Sequence, residues 1–527
     1  MKNYSLMLEN REGLHLLTFV FLPDDGEGQY PVVLARNPYA SGEHESMLES
    51  YANMGRSLVE DGFCVIFQNC RGHGGSEGDF IPFMHEREDG LDVLAWIEKQ
   101  PFFNGNVYLY GGSYLTFVHL SYMDELPPFV KGAYLTVMSA NGQLAFSKGG
   151  AFKADIGSIW YLAVYHSQDL IHGDPYKSYR EEWGNLPLCD YPKRCYGYDV
   201  PPFVDSFYLT YDPYACKGAF SEATDAFKNL KIPVFIGDGW AEMFFQGMTE
   251  MWRDLPEETK KQSAFLLGPW GHAMSVDENW VYPFTGAGDC SCSPHQWFSH
   301  LYRGTPLKQI QLGKINYYHA GAGTWEAQED FPEGDKTCCY YLQPDRSLSR
   351  TAPGDGLISY EADPASPPWF PGGPNTFCTP PVGYAKQPEP DFHPGVVSFL
   401  SAPLEKDLTI CGVMDAELEL STDCESTMFL ARLSVVETNG NATVIQDAPL
   451  VLNDLKPGEK FTATLPLGQL CWTIKAGERI RLDVSSADSH NYVVHPNLPG
   501  DLFRMTETKV AHQNIHLGKS LLRLKYR

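Results

Sequence analysis

The 527-residue sequence contains no run approaching the roughly 20 consecutive apolar residues that a membrane-spanning helix requires. Its opening stretch, MKNYSLMLENREG, meets charge at Glu9 and Arg11 before any apolar region develops. No secretory signal is therefore expected, and the expected location is cytoplasmic. Positive charge is scarce: 40 Lys and Arg stand against 66 Asp and Glu, a formal net charge of −26. A field of that sign repels phosphate backbones and anionic lipid, which argues against nucleic acid or a membrane as partner. Cysteine is thin as well, since 13 thiols over so long a chain suit reduced side chains better than a disulfide framework. The closest groupings, Cys290-Ser291-Cys292 and Cys338-Cys339, lack a second pair at finger-like spacing, so no metal site is expected.

The chain is too long for one ordinary core. Its first half alternates short apolar runs with helical patterns: residues 32–39, 63–72, 106–113, 233–240 and 263–272 each read as a buried strand ending in loop residues. That rhythm predicts an α/β fold, a mostly parallel sheet with crossover helices. Residues 85–100 should form one such helix, with Val93, Trp96, Ile97 and Gln100 on a shared face. Residues 140–225 break the rhythm and are rich in aromatics, among them Trp160, Tyr161, Tyr165, Trp183, Tyr196, Tyr198, Phe207 and Tyr208. They read as an inserted helical cap. After residue 300 polar and apolar residues alternate between turn signals, which predicts an antiparallel jelly-roll β-sandwich. The expected division is thus 1–139 and 226–300 for the core, 140–225 for the cap and 301–527 for the sandwich. The Pro/Gly-rich stretch 363–394 is expected as an excursion serving packing or assembly, and a homo-oligomer is compatible with it.

In an open α/β sheet, chemistry collects beyond the carboxyl ends of the strands. Ser113 follows the strand in YLYGGSYLTF and precedes a plausible helix, the setting of a nucleophile on a sharp strand-to-helix turn. The pattern G-x-S-x-G is incomplete, because Gly111 is present but Leu115 fills the last glycine position. Alone, this segment reads equally well as a simple turn. His272 ends another apolar strand, and alone it reads as a cap or packing residue. Together with an intervening acid, the two satisfy the order Ser, acid, His. Such a set is chemically sufficient: the histidine takes the hydroxyl proton during attack, and a carboxylate orients the imidazole and offsets its charge. Two acids compete, Asp238 and Glu242 in PVFIGDGWAEMFFQG, and spacing alone leaves both open.

These segments resemble the CocE/NonD family of α/β-hydrolases, which includes cocaine esterase and X-Pro dipeptidyl-peptidase. Gly111-Gly112-Ser113-Tyr114-Leu115-Thr116 looks like the family's nucleophile motif, with Thr116 in place of its final glycine. Gly239-Trp240-Ala241-Glu242 looks like the segment carrying the family acid, with glutamate for aspartate, and Pro269-Trp270-Gly271-His272 looks like the histidine segment. Asn37-Pro38-Tyr39 and the loop Arg71-Gly72-His73-Gly74-Gly75-Ser76-Glu77-Gly78 fit as well, with Asn69 where the family commonly has aspartate. The stretch 313–325 extends the likeness into the sandwich. The resemblance implies Ser113 as nucleophile, His272 as base, Glu242 as acid with Asp238 as the alternative, and the Tyr39 hydroxyl and Tyr114 N–H as oxyanion donors. It implies an acyl-enzyme on a small ester, amide or short peptide, without cofactor or metal. Arg71 is expected to brace its loop.

An acyl esterase on a small acyl or aminoacyl substrate is the expected activity. The alternatives are an X-Pro dipeptidyl-peptidase, which needs carboxylates for the substrate ammonium, and a noncatalytic binding or assembly protein. Asp155, Asp169, Glu181 and Glu182 are the acidic residues in the cap to weigh for ammonium recognition, each expected as a solvated surface group.

Overall fold

The computed structural model of the chain describes residues 1–23, 26–160, 181–182, 184–196, 225–374 and 380–527, with only the backbone of 195 and 196. The core sheet is built from β1 (Lys2–Glu9), β2 (His15–Leu22), β3 (Tyr30–Asn37), β4 (Cys64–Asn69), β5 (Phe103–Gly112) and β6 (Val130–Thr136). A short hairpin follows, β7 (Ser147–Lys148) and β8 (Ala151–Phe152), and then β9 (Val234–Gly239), β10 (Ala264–Gly268), β11 (Ile315–His319) and β12 (Thr324–Gln328). The spatial order is β1-β2-β4-β3-β5-β6-β9-β10-β11-β12. Pairing from β4 through β11 is parallel, and the two edges are antiparallel. Strands such as VVLA in β3 and VFI in β9 are apolar on both faces because both faces are covered.

Helices α1 (His44–Glu60), α2 (Glu86–Ile97) and α3 (Tyr114–Leu120) follow β3, β4 and β5. Helix α2 lies within the expected 85–100, and Val93, Leu94 and Ile97 are its apolar buried face. Its first turn also buries Glu86 and Asp89, two carboxylates facing the fully buried Arg36 of β3. Of the expected cap, the described residues form α4 (Gly142–Phe146), the β7–β8 hairpin, one π-helical turn Ile156–Trp160 and the short helical segments Leu188–Asp190 and Tyr191–Tyr196. Tyr161, Tyr165, Trp183, Tyr198, Phe207, Tyr208 and Asp169 lie outside the described residues.

The C-terminal strands are β13 (Lys336–Leu342), β14 (Ser347–Ser349), β15 (Leu357–Ala362), β16 (Val396–Ser401), β17 (Leu408–Thr422), β18 (Thr427–Val436), β19 (Ala442–Leu452), β20 (Phe461–Ile474), β21 (Arg479–Ser485) and β22 (Ala511–Tyr526). They join in the order β19-β18-β21-β16-β14-β13-β22-β17-β20, with β15 on β22, and β19 and β20 also pack together. In β17, Met414, Ala416, Leu418 and Leu420 point inward while Asp415, Glu417 and Glu419 alternate with them, the period-2 signal read in the sequence. The sheet is mixed rather than wholly antiparallel: β14 and β16 pair in parallel, because β15 leaves the path between them to pair with β22. The described part of the 363–394 stretch carries none of the sheet's strands and is tied down. Phe370 and Tyr384 are buried, Arg432 donates to the Pro371 and Gly372 carbonyls, and Trp280 of the core donates to Val382 O at 2.8 Å.

Candidate active site

Strand β5 delivers Ser113 into a backbone conformation few non-glycine residues adopt, φ 56° and ψ −131°. The turn doubles back so closely that a Cβ on Gly111 would lie 2.2 Å from Leu115 O, so glycine is required there. Thr116, standing where the resemblance expects glycine, has a local purpose: its hydroxyl donates to Thr136 O at 2.9 Å and accepts from Thr136 N at 3.1 Å, fixing α3 to β6. The Tyr114 side chain is buried beneath the turn, donating to Glu86 Oε1 at 3.1 Å and accepting from Phe83 N at 2.7 Å.

The ends of β9 and β10 are locked together. Ala241 N donates to Trp270 O at 3.1 Å, Trp270 Nε1 donates to Asp238 O at 2.9 Å, and a Cβ on Gly239 would lie 1.9 Å from Trp270 O. This places Glu242 and His272 side by side. His272 Nδ1 lies 3.0 Å from Glu242 Oε1, and Ser113 Oγ lies 2.9 Å from His272 Nε2. The three residues come from the ends of three different strands, 159 positions apart at the widest. Asp238 points elsewhere, with Oδ1 accepting from Gly239 N at 2.8 Å. Burial first, then the charge of Glu242, pushes the Asp238 carboxyl well above the usual range.

Tyr39 completes the cluster. Its hydroxyl lies 3.5 Å from Ser113 Oγ and accepts from Trp160 Nε1 at 3.2 Å. Asn37 orients this strand end, accepting from Tyr39 N at 2.9 Å and donating to Tyr51, whose hydroxyl donates to Asn69 Oδ1. Asn69 in turn donates to Gly74 O, so the amide braces the loop. Arg71 also braces, though through carboxylates rather than loop carbonyls: it forks onto Asp89 at 2.8 and 2.9 Å and reaches Glu12 at 2.7 Å.

A narrow space of about 10 Å³ beside Ser113 is walled by Phe83, Met138, Phe146, Ile156, Trp160 and Phe244. A wider cavity of about 260 Å³ opens at His272, lined also by Asp277, Trp280, Val382 and Gly383. Of the acidic residues weighed in the cap, the described ones, Asp155, Glu181 and Glu182, do not line either space. Asp155, expected at the surface, is fully buried; Glu181 is exposed; Glu182 pairs with Arg194 at 3.5 Å. Among the described residues, no group of three or more His, Cys, Asp or Glu could hold a metal ion.

Sequence reading missed Lys153 and the Arg36–Glu86 pair. Lys153 is fully buried, and its Nζ donates to Met243 O at 2.6 Å, Leu144 O at 2.8 Å and Ala145 O at 3.2 Å. Its one signal was a single cation inside the otherwise apolar run Ala151-Phe152-Lys153-Ala154.

A nucleophile elbow, a hydrogen-bonded Ser–His–carboxylate chain and a parallel sheet with covered faces define an α/β-hydrolase, and the chain is a serine hydrolase. Two family models match it, X-Pro dipeptidyl-peptidase (S15 family) over residues 12–274 and the X-Pro dipeptidyl-peptidase C-terminal non-catalytic domain over 310–521. The protein belongs to the CocE/NonD, or S15, family of α/β-hydrolases. It is 23% identical to cocaine esterase of Rhodococcus sp. (strain MB1 Bresler), over 98% of this chain and 97% of that one. Among solved structures, an α-amino acid ester hydrolase superposes with a TM-score of 0.80 at 20% identity, covering 100% of this chain and 96% of its own. An aminopeptidase from a marine sediment Thaumarchaeota archaeon superposes with a TM-score of 0.79 at 19% identity, with the same coverage.

Proposed function

We propose that the protein is an esterase for small acyl groups, with Ser113 as nucleophile, His272 as general base and acid, and Glu242 as the carboxylate that orients His272. The observation that carries this reading is the unbroken chain from Ser113 Oγ through His272 to Glu242 Oε1, at 2.9 and 3.0 Å. In the proposed cycle Ser113 Oγ bonds to the ester carbonyl carbon while its proton passes to His272 Nε2. The Tyr39 hydroxyl and the Tyr114 backbone N–H donate to the oxygen as it gains charge. The intermediate collapses, the C–O bond to the alcohol breaks, and Nε2 returns the proton to the leaving oxygen. Water then repeats the sequence on the acyl-enzyme, releasing the acid and restoring Ser113.

The apolar walls beside Ser113 support a small, uncharged acyl group over an aminoacyl or dipeptidyl one, since no described carboxylate lines that space. The curated relative aligned along nearly its whole length is named an esterase, which supports the same choice. The cavity beside His272 suits the leaving alcohol, because the imidazole must hand its proton to that side. We further propose the division 1–139 and 226–300 for the core, 140–225 for the cap and 301–527 for a jelly-roll domain. A cytoplasmic location and an absence of nucleic-acid partners are proposed as well, the latter supported by the charge of −26, and the C-terminal domain is the proposed contact in any homo-oligomer. No described helix is long and apolar enough to cross a membrane.

The test is labelling with a serine-directed fluorophosphonate together with turnover of a panel of acetyl, benzoyl and aminoacyl esters and X-Pro amides. Labelling abolished by Ser113→Ala, with acetyl esters turned over fastest, is the expected result. Labelling that persists in Ser113→Ala removes the assignment, and faster turnover of X-Pro amides replaces the esterase with a peptidase.

A further inference from the structure

Helix α4 is only five residues long, and its last carbonyls have no helical partner. The β7–β8 hairpin turns the chain back at Gly149 and Gly150, both at positive φ, and so returns Lys153 across the end of that helix. There Lys153 N donates to Phe146 O at 2.8 Å, while Nζ takes up Leu144 O and Ala145 O. The third Nζ contact, Met243 O at 2.6 Å, belongs to the residue immediately after Glu242. One side chain therefore joins the turn bearing the acid to the helix whose Phe146 walls the space beside Ser113.

Three carbonyl acceptors match the three donors of an ammonium, whereas a neutral amine would leave one unpaired. The charge also has an object. Glu242 is buried, and among the described residues its Oε2 accepts no hydrogen bond. Lys153 and Glu242 both line a cavity of about 190 Å³ behind the Ser–His–Glu chain, and their charges act on each other. Burial and the charge of Glu242 raise the neighbouring Asp238 carboxyl well above the usual range.

We propose, on the basis of the roles assigned to Ser113, His272 and Glu242, that Lys153 is a positioning residue for this reaction. Its ammonium fixes the Glu242 turn against α4 and places a positive charge behind the carboxylate that faces His272.

The other charged groups facing Lys153 are Lys148 of β7, Asp155 beyond β8 and Asp447 of β19. Lys148 is itself occupied by Asp447, at 3.0 Å from Oδ1 and 2.6 Å from the backbone oxygen. Burial draws Lys153 down to about 7, so the ammonium is present throughout the acidic range in which a histidine base loses activity. A positive charge near a catalytic base opposes protonation of the site, so its removal moves the acid limb of a pH–rate profile upward.

The experiment compares Lys153→Met, Lys153→Gln and Lys153→Arg in the full chain, with circular dichroism for folding and kcat and KM on an acetyl ester from pH 5 to 9. Gln keeps two donors without the charge, Met removes both, and Arg keeps the charge. In Gln and Met, kcat is expected to fall about 10- to 100-fold with KM little changed, as for a small displacement of a catalytic group. The acid limb of kcat/KM should move up by about one pH unit in both and stay in place in Arg. Folded Gln protein with wild-type kcat and an unmoved acid limb overturns the proposal, as does a Gln variant that cannot fold, which makes Lys153 a purely structural strut. A wild-type protein that neither turns over esters nor labels at Ser113 overturns the esterase assignment instead, so the two failures are distinguishable.

Discussion

Glu242 and Asp238 are both buried and stand four residues apart, yet it is Glu242 that accepts the hydrogen bond from His272 Nδ1, at 3.0 Å. Asp238 ends its strand with Oδ1 turned onto Gly239 N, while the locked turn that follows carries Glu242 out to the imidazole. Glu242→Gln should therefore lower kcat about 10³- to 10⁴-fold with the fold intact, as for a misoriented imidazole. Asp238→Asn, replacing a carboxyl turned onto Gly239 N and away from His272, should lower it less than tenfold. Steady-state kinetics of the two variants decide the matter, and the reverse ranking would move the acid role to Asp238.

Tyr39 offers its hydroxyl 3.5 Å from Ser113 Oγ while accepting a hydrogen bond from Trp160. Its own proton can pass into a hydrogen bond with an oxygen developing charge in the same space. Tyr39→Phe is expected to cost about 3 to 4 kcal/mol of transition-state stabilisation, read as a 10²- to 10³-fold fall in kcat with KM nearly constant. A change confined to KM would make Tyr39 a substrate-binding residue and not an oxyanion donor.

Trp160 closes the narrow space beside Ser113 and packs against Phe83, Tyr114 and Phe146. Trp160→Ala should shift the ratio of benzoyl to acetyl ester turnover upward by about tenfold or more, since space lost to one indole is worth several methylenes of discrimination. The same substitution removes a buried aromatic, so a loss of about 3 to 5 kcal/mol in stability is expected alongside. An unchanged acyl ratio in folded protein would separate this pocket from acyl recognition.

His495 gives the fold a measurable pH dependence. Asn497 N donates to its Nδ1 at 3.0 Å, which fixes the neutral tautomer with Nε2–H toward Ser426, and burial holds its pKa near 4. Because the folded value lies below the unfolded one, near 6.5, the unfolded chain binds more protons between those limits. The contribution is complete above about pH 6.5 and is lost as pH falls toward 4. The stability advantage of wild type over His495→Asn should thus narrow by about 1.4 kcal/mol for each pH unit crossed inside that window. Denaturant unfolding at pH 7, 5.5 and 4.5 measures it, and a constant difference would contradict the buried neutral imidazole.

The fold class was legible in the sequence, because strands covered on both faces must be continuously apolar and strands exposed on one face must alternate, as β3 and β17 do. The order Ser113, acid, His272 and the presence of Gly111 in the nucleophile pattern were legible too, since these depend on local turns and chain order. Spacing left Glu242 and Asp238 both open and the resemblance pointed to Glu242; the contact of Glu242 with His272, the setting of Thr116 against Thr136, and the burial of Asp155 came from the packing of the whole chain. So did the fork of Arg71 onto Asp89 and the three carbonyls gathered around Lys153. Each of these depends on where backbone from distant segments comes to rest. A charged side chain carries no mark in the sequence of whether it will meet water or a partner 90 residues away, as Lys153 meets Met243.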